Sequence, residues 1–231
     1  MISGLGLPVD FHSHILPGVD HGSSSLEMSL GQLRLAKEHG VDRIIATSHF
    51  YPNVHSVDGF LRRRNKAYDR LNCSKEAFPE VKLGAEVLFC QGIENLPGLD
   101  RLFVKGTNVL LLELPFSDFQ TDYCYSVESL VKSGVDVILA HAERYSKDII
   151  DQMTEYGAKI QINASALQRF SKGRVKVERW LKEKLVVALG SDIHSLDKHA
   201  YSEFKRAARK LSDELKFIEE YSSDIWNRAI F

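Results

Sequence analysis

Short apolar runs alternate with amphipathic stretches along the whole chain, and the two periodicities predict different elements. Seven runs read as strands, covering 9–11, 43–46, 81–85, 109–112, 135–140, 159–162 and 185–190. Between them, apolar residues recur at helical spacing. The first helix opens at Ser24-Ser25-Leu26-Glu27, where Ser24 and Glu27 predict a capping box, and Gly40 predicts its end. Further helices are predicted over 57–72, 120–133, 148–156, 174–184, 199–211 and 212–228, the last packing on the outside. Strand and helix in strict alternation predict βα units and a mainly parallel sheet. Linkers are short, and no repeat or composition break divides the chain, so one domain over residues 1–231 is expected. Two longer irregular stretches, 91–106 and 115–123, are expected to lie over one rim of the sheet.

The strand-like runs share a second property. All but one end in a histidine or a carboxylate: His12 and His14, His49, Glu86, Glu113, His141, then Asp192 and His194. The exception ends at Asn163. In an α/β barrel the C-terminal strand ends converge on the rim that carries the active site, so these residues are expected to meet. Imidazoles and carboxylates without thiolate suit divalent cations bound through nitrogen and oxygen.

Composition narrows the function classes. The chain has 231 residues, 44% of them hydrophobic, which is enough for a sizeable core. Its formal net charge of -1 offers no basic surface for nucleic acid, and no stretch is polybasic enough for a membrane surface. The single basic run, Arg62-Arg63-Arg64, sits in a helical pattern and reads as a solvated face. No apolar segment approaches the roughly 20 residues that span a bilayer, and the N-terminal residues lack the basic and apolar regions of a signal peptide. Three cysteines without a paired spacing fit a reducing cytoplasm, and a cytoplasmic location is expected. None is followed six residues later by arginine: Pro79, Leu96 and Leu130 stand there instead. A phosphatase loop built on a cysteine nucleophile is thereby excluded.

Each candidate has a bland alternative. His12 and His14 are two apart on a strand and face the same side, so both can reach one metal; two histidines so spaced also arise by chance. Asp192-Ile193-His194 repeats the spacing, although Ser-Asp is also a common turn starter. Glu86 and Glu113 end strongly apolar strands, where an unpaired carboxylate is costly; a metal or a basic side chain must face them. His49 and His141, as single imidazoles, read as polar residues outside this context. His39 before Gly40 suits a helix C-terminus. Arg144, three residues past His141, offers a planar fork for phosphate or an ion pair with Glu143 or Asp148.

In this order the residues resemble the polymerase-and-histidinol-phosphatase (PHP) superfamily: H-x-H after the first strand, scattered His, Glu, Glu and His, then D-x-H. Longer segments resemble one branch, the bacterial capsule and exopolysaccharide protein tyrosine phosphatases of CpsB/CapC type. They are Asp10-Phe11-His12-Ser13-His14-Ile15-Leu16-Pro17-Gly18-Val19-Asp20, Thr47-Ser48-His49, Gly84-Ala85-Glu86, Leu112-Glu113, Ala140-His141-Ala142-Glu143-Arg144-Tyr145 and Ser191-Asp192-Ile193-His194-Ser195. The resemblance covers nearly the whole chain.

It implies a distorted (β/α)7 barrel with two or three divalent metal ions, manganese first, with iron, zinc, cobalt or magnesium as other choices. By resemblance, His12, His14, Glu86 and Asp192 hold one metal. Glu86 bridges to a second, held also by Glu113 and His141. His49 and His194 hold a third with a residue of the loop after the first strand. Arg144 binds phosphate, and His194, His49 or a metal assists the leaving phenolate, whose pKa of about 10 asks for little protonation. The implied substrate is a phosphotyrosine protein, the C-terminal tail of a tyrosine autokinase. Two positions depart from the family pattern. The usual Asp-Asp-Gly of the loop is Asp20-His21-Gly22 here, so Asp20 or His21 is the third-metal ligand. A second phosphate-contacting arginine is replaced by His199. The competing functions are a small-metabolite phosphatase of histidinol-phosphatase type, a phosphodiesterase or nuclease, and a non-catalytic metal-binding regulator of a polysaccharide assembly kinase.

Overall fold

The computed structural model describes residues 7–74, 76–116, 122–168, 171, 173–210 and 213–228. Its strands are β1 (Asp10–Ser13), β2 (Arg43–Ala46), β3 (His49–Phe50), β4 (Glu80–Leu83), β5 (Glu86–Leu88), β6 (Val109–Glu113), β7 (Asp136–Leu139), β8 (Lys159–Asn163) and β9 (Val186–Gly190). They form one sheet in the order β3-β5-β6-β7-β8-β9-β1-β2-β4, and every neighbouring pair is parallel. The helices are α1 (Leu26–His39), α2 (Val57–Asn72), α3 (Asp122–Lys132), α4 (Lys147–Glu155), α5 (Arg174–Lys182), α6 (Ala200–Lys210) and α7 (Asp213–Asn227).

All seven predicted strand runs are present. The second is β2 and the third is β4, and each is followed after a two-residue break by a short strand outside the predicted runs, β3 and β5. β2 and β4 pair on the β1 side, whereas β3 and β5 pair next to β6. The two ends of the sheet are therefore joined covalently through Thr47-Ser48 and Gly84-Ala85. Hydrophobic pattern carries no mark of such a break, because both halves stay buried. The Gly84 carbonyl at the break accepts from Arg64 Nη1 at 2.9 Å. This corrects the reading of the basic run: Arg62 and Arg63 are solvated, but Arg64 is buried.

Helix α1 is capped by Ser25, not Ser24. Ser25 Oγ accepts from the Met28 amide at 3.2 Å, and Gly40 closes the helix in the left-handed region at φ 82°. The predicted helix ends at 120–121 and 211–212 lie outside the described residues, as do residues 117–121 of the second irregular stretch.

Successive residues of β6 alternate between two cores. Leu110 and Leu112 pack against the helices, whereas Val109 and Leu111 join Val9, Phe11, Ile45, Ile138, Ala140 and Val187 in a cluster enclosed by strands. Helix α7 packs on the outside as predicted, with Lys216, Glu220 and Asp224 exposed, and it lies across one end of the sheet. It sets Phe217, Tyr221, Ile225 and Trp226 against the enclosed cluster. It is fastened at strand beginnings: Arg43 to Glu219, Asp136 and Lys159 to Tyr221, and Lys82 to the Trp226 carbonyl. The N-terminal end of the sheet is thus covered, and the opposite rim is left open. The segment 91–106 supplies no lining to the cleft on that rim; it folds back so that Val104 joins the enclosed cluster.

Candidate metal centre

On β6, the inward series Val109, Leu111 continues to Glu113, so the sheet pleat itself carries this carboxylate to the rim. Parallel register places Glu86 beside His49 and Leu111. β1 pairs irregularly between Asp10 and Ser13, and such a register shift re-aims side chains. Phe11 fills the enclosed core, and His12 and His14 bring their Nε2 atoms within 3.0 Å of each other at the rim.

The predicted ligands meet. Three overlapping sets can each hold a cation: His12, His14 and Asp192; His14, His49 and His194; His49, Glu86 and Glu113. Glu86 is at the centre. Its Oε2 lies 3.1 Å from His12 Nε2, 3.2 Å from His14 Nε2 and 3.0 Å from His49 Nδ1, and its Oε1 accepts from His141 Nε2 at 2.8 Å. Glu113 spans the same two imidazoles, with His141 at 3.5 Å and His49 at 3.7 Å. Both carboxylates are buried. Glu86 Oε2 and both ring nitrogens of His49 have no hydrogen-bond partner among the described residues. Buried polar atoms are nearly always satisfied, so this convergence of unpartnered donor atoms fits a divalent cation.

Electrostatics point the same way. Burial opposes charge on His14, but bonds to Asp192, Asp20 and Glu86 outweigh it and hold its pKa well above 6.5. His141 is likewise raised to about 9 by Glu113 and Glu86 against burial. Glu86 and Asp192 stay below the usual carboxylate range, because the imidazoles overcome the cost of burial. His194 goes the other way: burial and the nearby His14 lower it to about 4. Two ligand candidates also hold a left-handed backbone without being glycine, His141 at φ 32° and Asp192 at φ 53°. Such strain concentrates at functional sites.

Both oxygens of the Asp20 carboxylate are engaged by protein donors. Its Oδ2 accepts from His14 Nδ1 and from the His49 amide, both at 2.9 Å, and its Oδ1 accepts from the Gly22 amide at 2.9 Å. A carboxylate so placed favours the His14 proton on Nδ1, with Nε2 left facing the cluster. His21 is exposed beside the cluster, its ring stacked on His49 at 4.5 Å and on His194 at 4.8 Å. His199 does not reach the site. It is exposed before α6, with its amide donating to Asp197, and it lines no part of the cleft. Arg144 does reach it, and pairs with Asp192 rather than with Glu143 or Asp148.

A cleft of about 500 Å³ opens over the cluster, lined by Arg144, Tyr51 and Phe116 besides the ligand candidates. Sequence reasoning missed both aromatics. Tyr51 stacks on His49 at 5.4 Å, and Phe116, 71% exposed, stacks on Tyr145 at 5.6 Å. An aromatic side chain within three residues of a strand end that carries a candidate ligand was the available signal. Asp10 was noted only as a neighbour of His12. It accepts from the Ser191 amide at 2.8 Å and its hydroxyl at 2.7 Å, holding the turn that presents Asp192. Burial raises the Asp10 pKa to about 6.

Relatives share this architecture. Tyrosine-protein phosphatase CpsB of Streptococcus agalactiae serotype V is 25% identical over 245 residues, covering 96% of this chain and all of the relative. Tyrosine-protein phosphatase YwqE of Bacillus subtilis is 28% identical over 199 residues, covering 81% of this chain and 78% of its own. Among solved structures, a chain from the study of B. subtilis YwqE and Streptococcus pneumoniae CpsB, metal-dependent tyrosine phosphatases, superposes with a TM-score of 0.80. It covers 96% of both chains at 24% identity, a likeness of fold. The Escherichia coli phosphotriesterase homology protein shares the fold more distantly, with a TM-score of 0.54, 14% identity and 94% of this chain covered, 98% of its own. The family model for capsular polysaccharide synthesis CpsB/CapC matches residues 8–229, and the chain belongs to that family.

Proposed function

We propose that this protein is a metal-dependent protein-tyrosine phosphatase, a single domain over residues 1–231 built as a distorted (β/α)7 barrel. The observation that carries the reading is the convergence of His12, His14, His49, Glu86, Glu113, His141, Asp192 and His194 on one rim, with unpartnered donor atoms facing each other. The relatives named as tyrosine-protein phosphatases support the substrate class.

Divalent cations bound there, manganese first, would supply water activation at neutral pH and neutralise charge on the transferred phosphoryl group. His12, His14, Glu86 and Asp192 would hold one; Glu86, Glu113 and His141 would hold a second; His49 and His194, with His21 rather than Asp20, would hold a third. Arg144 swings from Asp192 to the phosphate, where its fork matches two equatorial oxygens. Tyr51 and Phe116 flank the phenyl ring, so the cleft accepts an aryl ester. His194, kept neutral by burial and by His14, would offer a cation its lone pair rather than repel it. The substrate is a phosphotyrosine protein of capsule synthesis, the tail of a tyrosine autokinase, met in the cytoplasm. Among the described residues no helix is long and apolar enough to cross a membrane.

The test is phosphate release from a phosphotyrosine peptide after chelation, with manganese, iron, zinc, cobalt and magnesium restored singly. Metal-restored turnover is expected in wild type and lost in His12→Ala/His14→Ala. Arg144→Ala is expected to raise KM and lower kcat, with about a 100-fold loss in kcat/KM. Preference for histidinol phosphate over the peptide would transfer the reading to a small-metabolite phosphatase. Metal uptake without any turnover would leave the non-catalytic regulator.

A further inference from the structure

Two buried amides on β8 stand in line beneath the cluster. Gln161 is 0% exposed and Asn163 3% exposed, and two residues apart on a strand they share a face. The His141 backbone amide points at Gln161 Oε1 at 2.7 Å. A backbone N–H can only donate, so that atom is the carbonyl oxygen. Gln161 Nε2 then donates to Asn163 Oδ1 at 3.0 Å, and Asn163 Nδ2 donates to Asp192 Oδ2 at 2.8 Å. A carboxylate accepts, so the far end of the line requires the same amide orientation as the near end. His12 Nδ1 lies 3.0 Å from Gln161 Oε1. The oxygen there is an acceptor, so His12 carries its proton on Nδ1. Its Nε2 is left to face Glu86 at 3.1 Å and Asp192 at 3.6 Å.

The backbone makes room for this line. A Cβ on Gly190, which pairs with Asn163 on the adjacent strand, would come within 2.6 Å of both Gln161 Nε2 and His12 Cβ. Only glycine lets the Gln161 and His12 side chains meet across β9.

We propose that Gln161 and Asn163 are positioning residues that form a polarity relay. Read from Asp192, the relay dictates which ring nitrogen of His12 faces the metals, so two ligands from opposite ends of the chain are set together. The inference rests on the reading of the rim as a metal centre, and it does not depend on the reaction performed there.

The test uses the full chain loaded with zinc, a diamagnetic probe, with 15N-labelled histidine. Wild type is expected to show a slowly exchanging His12 Nδ1–H. Gln161→Met should abolish that signal. Asn163→Leu, which does not touch His12, should shift it. Each substitution should weaken zinc binding by about 10- to 100-fold in competition with a chelating dye. The double variant should be no weaker than the worse single one, because one line is broken twice. Gln161→Glu keeps the shape and the acceptor, so it should restore the Nδ1–H signal and guards against a loss due to misfolding. A His12 ring protonated on Nε2, a signal blind to Asn163→Leu, or additive losses in the double variant would overturn the relay. Zinc binding that obeys it in a protein without phosphotyrosine turnover would overturn the proposed function alone. A wild-type protein that takes up no divalent metal would overturn both.

Discussion

At the scale of single residues, identity and role separate. Asp20 and His21 are neighbours in one short loop, and residue type alone favours the carboxylate as a cation ligand. Geometry gives Asp20 other partners, because three hydrogen bonds tie it to His14, His49 and Gly22. The bonds from His14 and the two amides hold the Asp20 carboxyl below the usual range despite its burial. Asp20→Ala removes both acceptor oxygens, so His14 is no longer held with its proton on Nδ1. Metal affinity is expected to fall about 10- to 100-fold while the fold persists. Titration against a chelating dye measures it, and an unchanged affinity would show that His14 needs no such partner. The strand-end ligands were legible at this scale because a histidine or carboxylate closing an apolar run is costly without a partner. Gln161, Tyr51 and Phe116 were not, since glutamine and aromatics inside strands and loops are ordinary.

At the scale of elements, periodicity placed α2 at its observed bounds and the other helices within a few residues. Caps were less legible. Two serines in tandem compete for the start of α1, and the choice depends on backbone angles rather than on side-chain chemistry. Ser25 is extended at φ -147° and bonds the Met28 amide, whereas Ser24 Oγ reaches only the Met28 sulfur at 4.0 Å. Ser25→Ala is expected to destabilise the protein by about 1 kcal/mol. Ser24→Ala is expected to leave the denaturation midpoint unchanged, and urea unfolding of both variants separates the two serines. The breaks that separate β2 from β3 and β4 from β5 were illegible for a related reason. A residue pair such as Thr47-Ser48 is compatible with a continuous strand. Only the pairing of β3 with β5, and not with the neighbours of β2, makes it a break.

At the scale of the whole molecule, the rim is a charge cluster closed off from below. Four acidic side chains (Asp20, Glu86, Glu113 and Asp192) meet six imidazoles, and protons and cations compete for the same atoms. His141, raised to about 9, and His14, also raised, carry protons at neutral pH after chelation. Cation binding must expel them, so proton release is expected on metal addition near pH 7, and affinity should climb as pH rises toward about 9. The sign for stability is opposite. A histidine raised in the folded state contributes its full stabilisation below its unfolded pKa of 6.5 and loses it as pH passes 9. The depressed Glu86 and Asp192 contribute above their unfolded values of 4.5 and 3.8 and lose it as pH falls. Chelated protein should therefore melt highest between those windows, and its midpoint should drop from pH 6.5 to 9 while that of metal-loaded protein does not. Calorimetry in buffers of different ionisation enthalpy counts the protons. No release, or a chelated midpoint that rises across that range, would refute the coupling.

Strand-and-helix alternation, a single compact chain and the ligand-bearing strand ends all follow from local order, because burial acts on each element's own period. So does the chemical class, since nitrogen and oxygen donors without thiolate restrict what can bind. Which donor ligates, which merely orients, and which nitrogen faces inward follow from distances between residues far apart in the chain. His12 and Gln161 are 149 positions apart, and Arg144 and Asp192 are 48 apart. No local period encodes such distances, and hydrogen-bond direction exists only once the two partners have met. The same holds for α7: its apolar face is readable in the sequence, but its seat under the strand beginnings depends on an end of the sheet that only the closed packing creates.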